Sequence, residues 1–128
     1  MKTTYMDYSA TTYVKPEVLD AMMPFFTEKF GNPSSFYGIS RETKMAVDNA
    51  RAQVAKAINC DPNEVYFTGG GSEADNWAIK GIATAHMKKG NHIITTKIEH
   101  HAVLHTCEFL EKFGFEVTYL DVNEEEIG

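Results

Sequence analysis

Three consecutive glycines, Gly69-Gly70-Gly71, separate a strand-like run from a helix-like one, and no other stretch of the 128 residues constrains the fold as tightly. Val65 and Phe67 alternate within Glu64–Thr68, which predicts a short strand. Ser72–Met87 predicts a helix closed by Gly90, with Lys88 and Lys89 set against its negative end. His92–Thr96 then reads as a strand, Ala102–Phe113 as a helix ended by Gly114, and Phe115–Leu120 as a strand. Strands alternating with helices imply a mostly parallel sheet with covering helices, so the fold class is α/β. The expected core is a parallel arrangement of the three strands. In such sheets ligands bind outside the carboxyl ends of the strands, where Thr68–Ala74 and Lys97–His101 fall.

Ahead of the glycines, Pro16–Phe30 predicts a helix. Pro16 suits the first helical position, and Val18, Leu19, Met22, Met23 and Phe26 recur at helical spacing. Pro24 should kink it, and Gly31-Asn32-Pro33-Ser34-Ser35 should end it in a loop. Ser40–Ile58 predicts a second helix with Val47, Ala50, Val54 and Ala57/Ile58 as its apolar stripe, stopped by Asp61-Pro62. Trp77 and Ile82 are expected in the core. No repeat, low-complexity segment or linker interrupts residues 1–128, so no internal domain boundary is expected.

Charge and composition narrow the function classes. The net charge of −6 argues against direct nucleic-acid binding, which wants basic stripes. No apolar run reaches the ~20 residues of a membrane helix, and the start lacks a secretory h-region. Two cysteines, Cys60 and Cys107, suit a reducing cytoplasm better than a disulfide scaffold. Cys107, among apolar neighbours on a helix, reads as a buried structural thiol. Cys60 has no cationic neighbour to make it a nucleophile.

The glycine turn carries the strongest chemical signal. Ser72 stands where a new helix exposes unpaired amides and its positive end, a ready site for a phosphate. The alternative is a plain turn with Ser72 as N-cap and no ligand. Gly69-x-Gly71-x-x-Ala74 also satisfies the short dinucleotide pattern, but the acid it needs about 20 residues on is poorly matched by Glu99. A nucleotide P-loop has no counterpart in the sequence. His101 and His105 stand at i, i+4 without a third metal ligand of matching geometry, so no metal site is expected. His100, at a strand's carboxyl end, either lies against an aromatic ligand or is simply hydrogen-bonded in a loop.

Four motifs in order are more specific than any one of them: Asp7-Tyr8-Ser9-Ala10-Thr11-Thr12, Gly31-Asn32-Pro33-Ser34-Ser35, Phe67-Thr68-Gly69-Gly70-Gly71-Ser72-Glu73-Ala74-Asp75-Asn76 and Thr95-Thr96-Lys97-Ile98-Glu99-His100. From about Tyr5 to Val122 the chain resembles the amino-terminal part of cysteine desulfurases, pyridoxal 5'-phosphate (PLP) enzymes of the class V aminotransferase group. The resemblance implies part of a class V large domain, with Gly71 and Ser72 at the PLP phosphate and His100 stacked on the cofactor ring. It implies L-cysteine as substrate, L-alanine as product, and sulfur passed as a persulfide to acceptor or scaffold proteins for iron–sulfur clusters or tRNA thiolation. It also implies a homodimer. Another class V enzyme, such as a selenocysteine lyase or transaminase, and a non-catalytic nucleotide-binding module are the rival expectations.

The family's Schiff-base lysine follows a histidine in a Ser/Thr-x-His-Lys segment, and no lysine here has that setting. Neither Cys60 nor Cys107 matches the family's persulfide cysteine, so no catalytic residue is assigned. The chain is expected to be an amino-terminal fragment, inactive alone. Val122-Asn123-Glu124-Glu125-Glu126-Ile127-Gly128 reads either as the normal continuation after the last strand or as a later family segment joined by loss of an internal stretch. The three glutamates read as a solvated face.

Overall fold

Pro16 opens the first helix, α1 (Pro16–Thr27), because its fixed φ suits the first turn and its missing N–H is not needed there. The structure, a computed structural model, describes residues 3–123; Glu124–Gly128, with both readings of the terminal segment, lie outside the described residues. The described chain forms two compact units divided between Tyr66 and Phe67, at a point that no linker composition marks.

In the first unit, α1 ends at Thr27, short of the expected Phe30. The amides of Glu28 and Lys29 both donate to the Pro24 carbonyl, at 2.9 and 2.7 Å, which closes the last turn. The chain then leaves the helix to bring Gly31 against the backbone of α2 (Gly38–Ile58). A Cβ on Gly31 would lie 2.7 Å from the Ile39 carbonyl oxygen and 2.9 Å from the Ser40 nitrogen, so only glycine fits. The Thr43 hydroxyl donates to the Gly31 carbonyl at 2.6 Å, and Lys29 pairs with Glu42 at 2.6 Å.

This docking corrects the expected stripe on α2. The buried residues are Ser40, Thr43 and Ala55, while Val54 and Ile58 are exposed. Small side chains admit the close approach of loop backbone that larger ones would block. Asn59, in the left-handed conformation at φ 57°, terminates α2.

The strand expected over Glu64–Thr68 is likewise not formed. Asp61 Oδ1 accepts from the Asn63 amide and Glu64 Oε2 from the Asp61 amide, both at 2.8 Å. This capping box winds Pro62–Glu64 into a single 3-10 turn. Val65 is buried beyond it, with its carbonyl accepting from Arg51 Nε at 3.2 Å. No strand pairs with the segment among the described residues.

The second unit holds α3 (Gly71–His86), β1 (His92–Thr96), α4 (His101–Glu111) and β2 (Glu116–Leu120). The two strands pair in parallel, in register from His92 opposite Glu116 to Thr96 opposite Leu120. The expected three-strand core is thus two strands here, with the expected parallel direction and helical cover. Gly114, at φ 88°, turns the chain from α4 into β2 in a conformation that favours glycine.

Thr106, Cys107 and Leu110 of α4 are buried together with Phe115 ahead of β2. On the sheet, Ile93, Thr95, Val117 and Tyr119 are half-buried, whereas Ile94 and Leu120 on the opposite face are exposed. One face is covered and one is bare. Trp77 and Ile82 are not core residues: both are more than half exposed, because α3 meets α4 along another face, where Lys80 Nζ lies 4.3 Å from the Phe109 ring centre.

Candidate functional site

The helix start at the glycine turn is built from backbone rather than from a side-chain cap. Gly70, extended at φ 169°, is the N-cap of α3; Gly71 is the first helical residue and Ser72 the second. Ser72 is therefore not the N-cap of the plain-turn alternative. The first helical hydrogen bond runs from the Ala74 amide to the Gly70 carbonyl at 3.1 Å. The amides of Gly71, Ser72 and Glu73 precede it, and none of them has an acceptor among the described residues. The Ser72 hydroxyl also makes no hydrogen bond there, while its carbonyl accepts from Asn76 Nδ2 at 2.9 Å.

Two further side chains shape the turn. Thr68 Oγ1 donates to the Gly70 carbonyl at 3.2 Å. Glu73 Oε2 accepts from the Gly69 amide at 2.6 Å. The motif reading passed over both residues. A glutamate at the third position of a helix is itself a legible signal, since it commonly reaches back to an amide at the helix start.

His100 stands at the other helix start of this unit. It is the N-cap of α4, and its Nδ1 accepts from the Ala102 amide at 3.1 Å. Because Nδ1 offers a lone pair to that amide, the ring's N–H in this arrangement is Nε2. The sequence offered a ligand or a loop hydrogen bond for His100; the capping role was not foreseen.

The carboxyl end of α3 leads through residues 87–91 into the start of β1, so α3 runs opposite to the strand. His100 follows the carboxyl end of β1 by four residues. His100 thus falls at the carboxyl end of β1, where α/β sheets bind ligands, and Gly71 and Ser72 open the helix that precedes that strand. The turn between β1 and α4 is held by Thr96 Oγ1 on Glu99 Oε1 at 3.2 Å and by a 2.6 Å ion pair between Lys97 and Asp121.

Asn32 belongs to the first unit, and its Oδ1 accepts from the Ser34 amide at 2.9 Å. The rings of His101 and His105 stack with centres 5.2 Å apart, but no group of three metal-ligating side chains gathers among the described residues. Cys107 is buried, and burial followed by the charge of Glu111 pushes its thiol pKa up, which makes it a poor nucleophile.

A family model described as aminotransferase class-V matches residues 4–127. Cysteine desulfurase IscS of Clostridium botulinum (strain Hall) is 72% identical over 124 residues, which are 97% of this chain and 31% of that protein. Cysteine desulfurase IscS of Methanosarcina thermophila is 60% identical over 123 residues, 96% of this chain and 30% of that protein. The chain thus spans about a third of the length of the curated relatives it matches. Among solved structures, SspA in complex with cysteine superposes with a TM-score of 0.86 at 43% identity, covering 92% of this chain and 34% of that one. A NIFS-like protein superposes at 0.84 with 42% identity, covering 89% and 31%. With its α/β architecture and a match over nearly its whole length, the chain belongs to the aminotransferase class-V family.

Proposed function

We propose that this chain contributes the phosphate cradle and the ring-facing histidine of a PLP-dependent cysteine desulfurase. One observation carries the reading: α3 begins with three amides that have no acceptor among the described residues, beside a serine hydroxyl, in the same unit as His100. The donors suit a phosphate, because aligned N–H groups and the helix dipole favour a negative charge at this point. A Cβ on Gly71 would meet nothing within 4 Å, so no described atom crowds that position of the turn.

PLP, once bound, supplies an electron sink for bond changes at the substrate's α-carbon. The chain's own part is to bind and orient. Gly71 and Ser72 hold the phosphate, and His100, with Nδ1 tied to Ala102, presents a ring of fixed orientation to the cofactor's ring. In the whole enzyme the substrate is L-cysteine, the products are L-alanine and a persulfide sulfur, and the sulfur goes to acceptor proteins. A homodimer in the cytoplasm fits the same reading. The names of the relatives favour this over a selenocysteine lyase or transaminase.

A nucleotide module is less well supported, since Glu64–Thr68 forms no strand among the described residues and Glu99 is engaged by Thr96. The test is competitive binding of PLP, NAD and ATP to the purified protein, followed by absorbance and by calorimetry. PLP should bind in preference to both nucleotides. A preference for either nucleotide overturns the reading.

A further inference from the structure

Glu73 offers an inference that rests on the reading above and deepens it. In an ordinary capping box a glutamate at the third helical position returns to the N-cap amide. Here the Glu73 carboxylate passes over the N-cap, Gly70, and takes the amide of Gly69 instead, at 2.6 Å. The Gly70 amide has no acceptor among the described residues. The Gly70 carbonyl, meanwhile, is held by the Thr68 hydroxyl and by the Ala74 amide. The peptide links on either side of Gly70 are thereby held in place without any side chain occupying the donors that face forward.

We propose that Glu73 is a positioning residue for the phosphate: by holding the Gly69 amide it sets the turn so that the next amides stay free and aligned for the anion. The arrangement has an electrostatic cost, because a carboxylate at the helix start competes with an incoming phosphate for the same positive potential. Holding the turn and repelling the anion therefore have opposite signs at this one residue, and substitution separates them. Glu73→Ala removes the acceptor and the charge together. Glu73→Gln keeps an acceptor oxygen and removes only the charge. Gly69→Ala keeps the carboxylate but sets a Cβ 3.2 Å from its Oε2, so the carboxylate must give by a few tenths of an ångström and its hold on the amide weakens.

The test compares PLP with pyridoxal, which lacks the phosphate, on the wild-type protein and the three variants. Hydrogen exchange of the Gly69 amide provides a readout independent of the cofactor. Wild type should prefer PLP. Glu73→Ala should reduce that preference about tenfold, with Gly69→Ala changing it in the same direction, while pyridoxal binding barely moves. Glu73→Gln should retain the preference or strengthen it, and only Glu73→Ala and Gly69→Ala should speed exchange at residue 69. Equal loss in Glu73→Ala and Glu73→Gln, or no loss in Glu73→Ala and Gly69→Ala, overturns the inference while the site reading stands. A wild-type protein that binds pyridoxal as tightly as PLP sinks the site reading and this inference with it.

Discussion

Ser72 and Gly31 show how differently two small residues act. At Ser72 the hydroxyl and amide have no partner among the described residues, so Ser72→Ala should leave stability within about 0.5 kcal/mol. It should weaken PLP binding by about tenfold, the value of one charge-assisted hydrogen bond of ~1.5 kcal/mol. Titration of PLP absorbance beside a thermal melt checks both halves. At Gly31 the space is already filled by backbone. Gly31→Ala must push Ile39 and Ser40 away, and an overpacked site of this kind costs about 1–3 kcal/mol. A denaturant midpoint would register that loss with no change in ligand preference. A third prediction concerns two acids on facing elements. Burial, then the charge of Glu111, raises the pKa of Cys107 from 9.0 and that of Tyr119 from 10.0. The folded state keeps those protons longer than the unfolded chain does, so stability is intact below about pH 9 and falls as pH climbs beyond it. Unfolding midpoints taken from about pH 8 to about pH 11 should fall in wild type and less steeply in Cys107→Ala or Tyr119→Phe.

Elements were legible where the pattern is local. The helices and the strands β1 and β2 followed from apolar periodicity and from punctuation by Pro16 and Gly114, within a few residues at each end. The stretch before the glycine turn was not, because alternation at Val65 and Phe67 cannot reveal whether a neighbouring strand is there to pair with. The Asp61–Glu64 capping box, readable in principle, settles the start of that stretch as a turn. Side-chain burial on α2 and α3 was misjudged for a related reason: the contact face depends on what arrives from elsewhere in the chain, here loop backbone against Ser40 and Thr43, and α4 against Lys80. At the site, the glycine turn and Ser72 were visible as a pattern, whereas the roles of Glu73 and His100 as hydrogen-bond acceptors needed the geometry. The contact of α3 with α4 is testable: a double-mutant cycle of Lys80→Met and Phe109→Leu should give a coupling of about 0.5–1 kcal/mol from the cation–π pair.

Across the whole molecule, exposed apolar surface is the dominant feature. Val18, Leu19, Met22, Met23, Phe25 and Phe26 of α1 are all 40% exposed or more, and the sheet shows Ile94 and Leu120 on its bare face. A cleft of about 450 Å³ between α3 and the strands is lined by Ile82, Ile93 and Phe115. Surfaces of this kind are covered by partners in stable proteins. The purified chain is therefore expected to self-associate and to bind an apolar dye, and sedimentation showing a stable monomer would count against this. The division between Tyr66 and Phe67 has a consequence in time. Each unit closes on contacts made within its own stretch of chain, so the first can condense while the second is still being synthesised. At roughly 5–20 residues per second residues 67–128 alone take on the order of seconds to be made. Because the apolar side chains of α1 stay exposed in the folded first unit, the nascent unit is a client, from the moment it emerges, for a chaperone that holds exposed helices.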